Sequence, residues 1–176
     1  GRDYLRRPST EANLQNAGIQ FQQSLKLDPA YGMAYAGICE TRLRQYQINP
    51  DTELFEDAEK ACNRAMTRDG QSAEVSLALG RLHLLTGQSE QAMGEIDRAL
   101  TLKPRWVEAI LARAEALAVR GFPIEAEAEF KRLIQIDPGY AQAYKTFGNF
   151  YYHNGRFDDA IANYNEVIKR IPDDWG

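Results

Sequence analysis

Along the chain, apolar residues gather into segments of helical period, each bounded by glycine, proline or an Asn-Pro-Asp turn and each long enough for two or three turns. That pattern predicts about nine helices and no strand. The segments also recur. Pro104, Pro138 and Pro172 stand 34 residues apart, and Gly87, Gly121 and Gly155 keep the same period, as do Ala92, Ala126 and Ala160. Leu79-Gly80, Arg113-Ala114 and Phe147-Gly148 fall in step with them, and so do Ala99, Leu133 and Val167. Each glycine lies between two helical segments, where a residue able to take positive φ closes one helix and turns the chain back. Each proline ends the second segment, because it has no amide to donate and forces its predecessor out of helical geometry. The repeating unit is therefore a helical hairpin. Gly80, Ala92, Ala114, Ala126, Gly148 and Ala160 recur where its two helices would cross and let the backbones approach. Leu79, Leu82, Ile96, Leu117, Phe130, Phe147, Tyr151 and Tyr164 fill the space between them. Pro123 opens a second helix, at the one helical position that tolerates it.

The period and these columns resemble the tetratricopeptide repeat, whose pattern runs from a large residue through Leu-Gly, Tyr, Ala, Phe and Ala to Pro. The unit Tyr144, Phe147-Gly148, Tyr151, Gly155, Ala160, Tyr164 and Pro172 departs from it only at Val167, where a small residue is usual. The resemblance implies an all-α fold, a right-handed α-solenoid of stacked helical hairpins. It divides the chain into a partial repeat over 1–31, a repeat with an insertion over 32–72, repeats over 73–106, 107–140 and 141–174, and the opening of another at 175–176. In the 32–72 repeat about seven extra residues, placed within 45–52, separate Tyr35, Ile38 and Cys39 from Ala58, Cys62 and Ala65. Asn49-Pro50-Asp51 is a turn and cap signal, so the insertion is expected to lengthen the loop or extend the adjoining helices. Gly70 replaces the closing proline of this repeat. The chain opens and stops inside a repeat and so reads as a piece of a longer array. Gly1-Arg2-Asp3-Tyr4-Leu5-Arg6, Leu27-Asp28-Pro29-Ala30-Tyr31, Ala34-Tyr35-Ala36-Gly37 and Phe150-Tyr151-Tyr152 with Gly155-Arg156 look like the repeat arrays that follow the output domain of some bacterial signalling proteins, a kinase, a cyclase or a winged-helix regulator.

Composition narrows the function classes. With 44% hydrophobic residues the chain can build a continuous core. Its 25 acidic residues outnumber 21 basic ones for a net charge of −4, and no Lys/Arg stripe gathers, which disfavours nucleic acid. No apolar run reaches the roughly 18 residues that span a bilayer, and the opening residues lack the apolar segment of a signal peptide. The compartment stays open between cytoplasm and periplasm. An enzyme would need converging reactive groups, and two histidines, two cysteines and scattered carboxylates assemble nothing, so no catalytic residue, cofactor or metal is assigned. His83 takes a packed position usually held by Tyr, and His153 ends a first helix beside Tyr152. Cys39 and Cys62 read as buried apolar fillers. They could be near neighbours in one hairpin, and whether they pair is left open. Glu125, Glu127 and Glu129 alternate with alanine and read as a solvated face.

A binding surface is what remains. In the family it resembles, the first helix of each repeat lines the concave face, where peptides usually bind. Carried onto this chain, that face gives the columns Ala36, Leu77, Leu111 and Lys145; Glu40, Arg81, Glu115 and Asn149; and Met33, Glu74, Glu108 and Gln142. The candidate peptide-binding residues are Glu74, Leu77, Arg81, Glu108, Leu111, Glu115, Lys145, Asn149 and Tyr152: an apolar middle, an acidic edge and a polar last repeat. Such a floor suits apolar side chains flanked by basic ones. A competing reading has Arg81 bridging Glu40 and Glu115 as a surface network. The Lys and Asn residues with which some family members grip chaperone carboxylates are missing from the matching positions. The sequence thus points to a non-catalytic protein-protein interaction scaffold, or alternatively to a regulatory segment of a larger bacterial signalling enzyme. Both ends are expected to expose apolar faces, the C-terminal one through Ile161, Tyr164, Val167 and Ile168, with end-to-end self-association as a consequence.

Overall fold

The computed structural model describes residues 1–7 and 9–170, and among them the backbone forms ten helices and no strand. They are α1 (Arg2–Arg6), α2 (Glu11–Leu27), α3 (Gly32–Ile48), α4 (Thr52–Asp69), α5 (Ala73–Leu85), α6 (Ser89–Leu102), α7 (Val107–Val119), α8 (Pro123–Ile136), α9 (Ala141–His153) and α10 (Phe157–Arg170). The helix beyond the expected nine is α1, whose Tyr4 and Leu5 amides donate to the Gly1 carbonyl and whose Leu5 side chain is buried. The helices fall into two compact units, Gly1–Pro104 with α1 to α6 and Arg105–Gly176 with α7 to α10.

One turn is used three times. Gly87, Gly121 and Gly155 take φ of 73°, 79° and 73° after α5, α7 and α9. The next residue then reaches back: the amides of Gln88, Phe122 and Arg156 donate to the carbonyls of His83, Leu117 and Tyr151 at 2.8, 2.9 and 2.9 Å. This satisfies carbonyls that the helix end would otherwise leave bare. The second helices α2, α6 and α8 stop before Pro29, Pro104 and Pro138, α4 stops at Gly70, and Asp28 and Asp137 fold their carboxylates onto the amides of Ala30 and Gly139 at 2.9 and 3.1 Å. Helix starts are capped by Thr10, Asp51 and Ser72, each accepting from an amide two or three residues on. Pro123 sits in the first turn of α8.

The insertion goes into helix length. α3 and α4 run to 17 and 18 residues, whereas the helices from α5 onward have 13 or 14, so each gains about one turn. Only Asn49, Pro50 and Asp51 remain between them. Tyr46 and Phe55 close the extended tip with ring centroids 5.4 Å apart.

The two cores differ in material. Unit 1 packs Ala36, Leu43, Ala58, Ala61, Ala65, Val75, Leu79 and Leu82 around Cys39 and Cys62, with Leu5, Leu14, Ala17, Phe21 and Ala34 as a second cluster. Cys39 and Cys62 form a disulfide, with Cα atoms 5.2 Å apart and both residues fully buried, so the two fillers are also a covalent staple of the α3–α4 hairpin. Unit 2 is built on rings. Phe147 stacks on Phe130 at 4.8 Å and on Tyr151 at 4.2 Å, and Phe150 tilts against all three. Gly148 is needed where α9 crosses α10, because a Cβ there would lie 2.7 Å from the Tyr164 ring.

Candidate functional site

The first helices of the hairpins carry the expected site residues, and the structure gives them unequal exposure. On α5, Leu77 is fully buried and Glu74 is 8% exposed. On α7, Leu111 is 2% exposed, while Glu108 and Glu115 are half-buried. The expected apolar floor is therefore core: each leucine already has its neighbours, and a partner could reach neither without displacing them. On α9 the situation is reversed. Lys145, Asn149 and Tyr152 are exposed, and their spacing of four and three puts them on one helix face.

In unit 1 the expected acidic edge is neutralised. The Glu74 carboxylate accepts Arg2 at 2.8 Å and Lys103 at 2.6 Å. Glu40 accepts Arg44 of its own helix and lies 3.3 Å from Arg81 on α5. Arg44 also donates to the Leu5 carbonyl at 2.6 Å, tying α3 to α1. Burial opposes the charge on Glu40, but Arg81, Arg44 and the more distant Arg2 outweigh it and hold its carboxyl below the ordinary range. Arg81 is thus part of an ion network in unit 1, with 15% of its side chain exposed. Arg2, Arg44 and Lys103 were missed in the sequence. A signal existed for the first of them: Arg2, Glu40 and Arg81 alternate in sign at one register of successive first helices.

In unit 2 the helices are clasped by ions as well as rings. Glu127 on α8 accepts Tyr151 of α9 at 3.1 Å, Arg156 at 2.6 Å and Lys131 at 2.7 Å. The Arg156 guanidinium lies 4.3 Å from the centre of the Tyr151 ring. Burial, and then the Glu127 carboxylate, push the Tyr151 hydroxyl up to about 12. Glu129 accepts Arg113 of α7 at 2.6 Å and Arg132 at 3.1 Å. Of the three glutamates expected on a solvated face, only Glu125 is on one. Glu127 and Glu129 are largely covered, because each points at a cation on a neighbouring element. His83 is half-buried, and His153 is exposed beside Tyr152, their rings 5.7 Å apart.

The α9 face has its own support. The Tyr164 hydroxyl donates to Asn149 Oδ1 at 2.8 Å, which fixes the amide plane. Phe157 meets the Tyr152 ring edge-on at 5.6 Å. A cation, an oriented amide and an exposed ring in one row can hold a carboxylate or carbonyl, a backbone group and an apolar side chain respectively. At the C-terminal end of unit 2, Ile161 and Ile168 are exposed, whereas Val167 is 5% exposed and packs inward; it does not belong to the end face expected for it. Among the described residues no group of three or more His, Cys, Asp or Glu could hold a metal ion, and no helix is long and apolar enough to cross a membrane.

Models of the tetratricopeptide repeat match residues 51–105 and 121–175, together more than half of the chain. The chain belongs to the tetratricopeptide repeat family, a class of helical-hairpin proteins that serve as protein-interaction scaffolds. Protein O-mannosyl-transferase TMTC1 of Homo sapiens is 24% identical over 138 residues, which cover 76% of this chain and 16% of that protein. The chain therefore spans a small part of that relative, and the transferase in its name is said of the whole protein. Among solved structures, TTC0263, a thermophilic TPR protein of Thermus thermophilus, is similar with a TM-score of 0.75 at 21% identity, over 93% of this chain and 86% of that one. YrrB, a TPR protein with an unusual peptide-binding site, is similar with a TM-score of 0.57 at 23% identity, over 93% and 80%. At these identities the likeness is one of fold.

Proposed function

We propose that this chain is a non-catalytic docking module whose first helices bind a partner segment, with the α9 face as the principal contact. The observation that carries this reading is the row Lys145, Asn149 and Tyr152, exposed on one helix face with Asn149 held by Tyr164. Glu108 and Glu115 are half-buried and serve as edge contacts on α7. Glu74, Leu77, Arg81 and Leu111 shape and stiffen the supporting helices. A peptide on α9 brings an acceptor group for Lys145 and an apolar side chain for Tyr152, with affinity centred on the aromatic contact. The unusual peptide-binding site of YrrB supports the reading that this fold can present such a surface.

The test is capture of partners on the immobilised chain, followed by titration of one confirmed partner against Tyr152→Ala and Lys145→Glu. Tyr152→Ala is expected to weaken binding at least tenfold. Lys145→Glu should weaken it less, with the loss shrinking in high salt. Unchanged affinity for both variants moves the site off α9.

A second reading, a regulatory segment that contacts the other parts of a larger protein, is favoured by the small share of TMTC1 that the chain matches. It is separated from the first by whether the captured partner is another part of the same polypeptide. Self-association through an end face is compatible with both.

A further inference from the structure

α9 differs from every other helix among the described residues in carrying no aspartate or glutamate, although the chain as a whole has a net charge of −4. Its exposed cation is also unclaimed. Arg81 on α5 and Arg113 on α7 are paired with Glu40 and Glu129, whereas no carboxylate among the described residues pairs with Lys145. Asn149 adds a second donor. Its Oδ1 accepts the Tyr164 hydroxyl at 2.8 Å, and its Nδ2 donates to nothing among the described residues, so the open half of the amide is the donor. At the far end of the row Tyr152 and Phe157 are 56% and 57% exposed. Their rings meet at 67° with centroids 5.6 Å apart and bound an apolar corner.

The neighbouring charges favour the same kind of occupant. On α10, Asp159 is held by Arg156 and Glu166 by Lys169 and Arg170, while Asp158 follows Phe157 at the aromatic end of the row. An acidic group therefore belongs at the Lys145 end and an apolar one at the other. Spacing sets the backbone that joins them. From Lys145 to Tyr152 the helix rises about 10 Å. Side chains on one face of a β-strand are two or four residues apart, about 7 or 13 Å, and match this span poorly. A polyproline II segment rises about 3.1 Å per residue and turns once in three, so positions three apart share a face about 9 Å from each other. Its carbonyls have no internal partner, and one between the two side chains comes level with Asn149.

We infer that the α9 face recognises an acidic segment of a partner protein in polyproline II conformation, with a carboxylate side chain on Lys145 and, three positions away, an apolar side chain in the Tyr152–Phe157 corner. Asn149 donates to the backbone carbonyl between them. The inference rests on α9 as the docking surface and adds the charge and the spacing of what docks there. It reverses the preference for basic flanks expected from the sequence, because Glu74 of that expected acidic edge already accepts Arg2 and Lys103. The acidic balance of the chain repels such a segment elsewhere and steers it to the one helix without a carboxylate.

Short synthetic peptides test it, each with one glutamate and one phenylalanine set from one to five positions apart, and each with a lysine-for-glutamate control. Their ends are acetylated and amidated, which keeps a terminal carboxylate out of the result. Titrated against the whole chain by fluorescence anisotropy, the peptide with a separation of three is expected to bind about fivefold or more tighter than the other separations and than its lysine control, and the margin over lysine should shrink in high salt. Lys145→Glu should invert the choice in favour of lysine and Lys145→Gln should remove it, both with the thermal melt in place because the site is exposed. Equal binding of the lysine control, no dependence on separation, a preference that ignores both Lys145 variants, or no binding by any peptide overturns the inference. The docking reading fails separately, when Tyr152→Ala and Lys145→Glu leave the affinity of a captured partner unchanged.

Discussion

Two hairpins of similar outline are held in different ways. In unit 1, α3 and α4 meet through alanines, leucines and a disulfide, with Glu40, Arg44 and Arg81 laid over the first-helix face. In unit 2, α9 meets α8 and α10 through Phe130, Phe147, Phe150, Tyr151 and Tyr164, without a covalent link. Small residues bury little area each, so the longer hairpin gains from a restraint on the unfolded chain. Rings bury enough to hold a shorter one unaided. The period fixes where helices cross, and the crossing can be filled by either means.

The largest effect expected follows from the ring core. Phe147→Ala removes a 4% exposed ring with three aromatic neighbours and should destabilise unit 2 by about 3–5 kcal/mol. Hydrogen exchange should then show α9 and α10 losing protection while α3 and α4 keep theirs. Protection lost equally in both units would mean that they unfold as one body and would erase the contrast.

Reduction of the Cys39–Cys62 bond is next. The bond closes a loop across 23 residues of sequence separation, for which chain entropy gives about 3 kcal/mol. Melting with and without a reductant, read by the same exchange experiment, should show the loss confined to unit 1. Cys62→Ala should reproduce it and remove the sensitivity to reductant.

The hairpins, their turns and the prolines that end them were legible because each follows from a rule about one residue at a fixed spacing. Gly87, Gly121 and Gly155 needed no tertiary context to be read as turns. The site was less legible, since exposure depends on what lies opposite. Leu77 and Leu111 share a register with exposed Lys145, and no local pattern says which of these positions a neighbouring element covers. The ion network was hidden for the same reason: Arg2, Lys103 and Glu74 come from three elements far apart in sequence. The glutamate run on α8 misled because its spacing suggests a solvated strip, while Arg113 and Arg156 reach it from other elements. Cys39 and Cys62 were placed correctly as fillers, and their bond depends on an approach that the period alone leaves open.

The alkaline end of the pH scale should also tell the two units apart. The Glu40 carboxyl is held below its ordinary range, so the folded state binds its proton less readily than the unfolded chain does. That stability is complete above the unfolded value near 4.3 and is lost as pH falls through the folded one. For Tyr151 the sign is reversed: its folded value, pushed up to about 12, lies above the unfolded 10. Its contribution is complete below pH 10 and is lost between 10 and 12, on the order of 2 kcal/mol at the end of that window. Melting curves across pH should show acid limbs in both units, since Glu127 in unit 2 is also held below its ordinary range, chiefly by Lys131, and an alkaline limb in unit 2 from Tyr151. Tyr151→Phe should flatten the alkaline limb, and because it removes a hydrogen bond that helps hold the Glu127 carboxyl below its ordinary range, it should also weaken the acid limb of unit 2 while leaving that of unit 1 in place. An alkaline limb that survives Tyr151→Phe unchanged would break the assignment.

The smallest expected effect is one that the two units should share. Gly87 in unit 1 and Gly155 in unit 2 both sit at φ 73°, and a Cβ added at either would meet nothing within 4 Å. Alanine there encounters no clash with a neighbour, only the cost of holding an L-residue in the left-handed region, about 1 kcal/mol. That cost belongs to the turn, and the cores on either side, alanine-rich or aromatic, should not alter it. Gly87→Ala and Gly155→Ala should therefore lower the stability of their own unit by the same small amount in denaturant melts followed unit by unit. Equal values locate the difference between the units in their cores. Values that differ by more than about 1 kcal/mol would mean that the core on one side strains its turn, and that the repeat period carries more of the packing than the turn geometry displays.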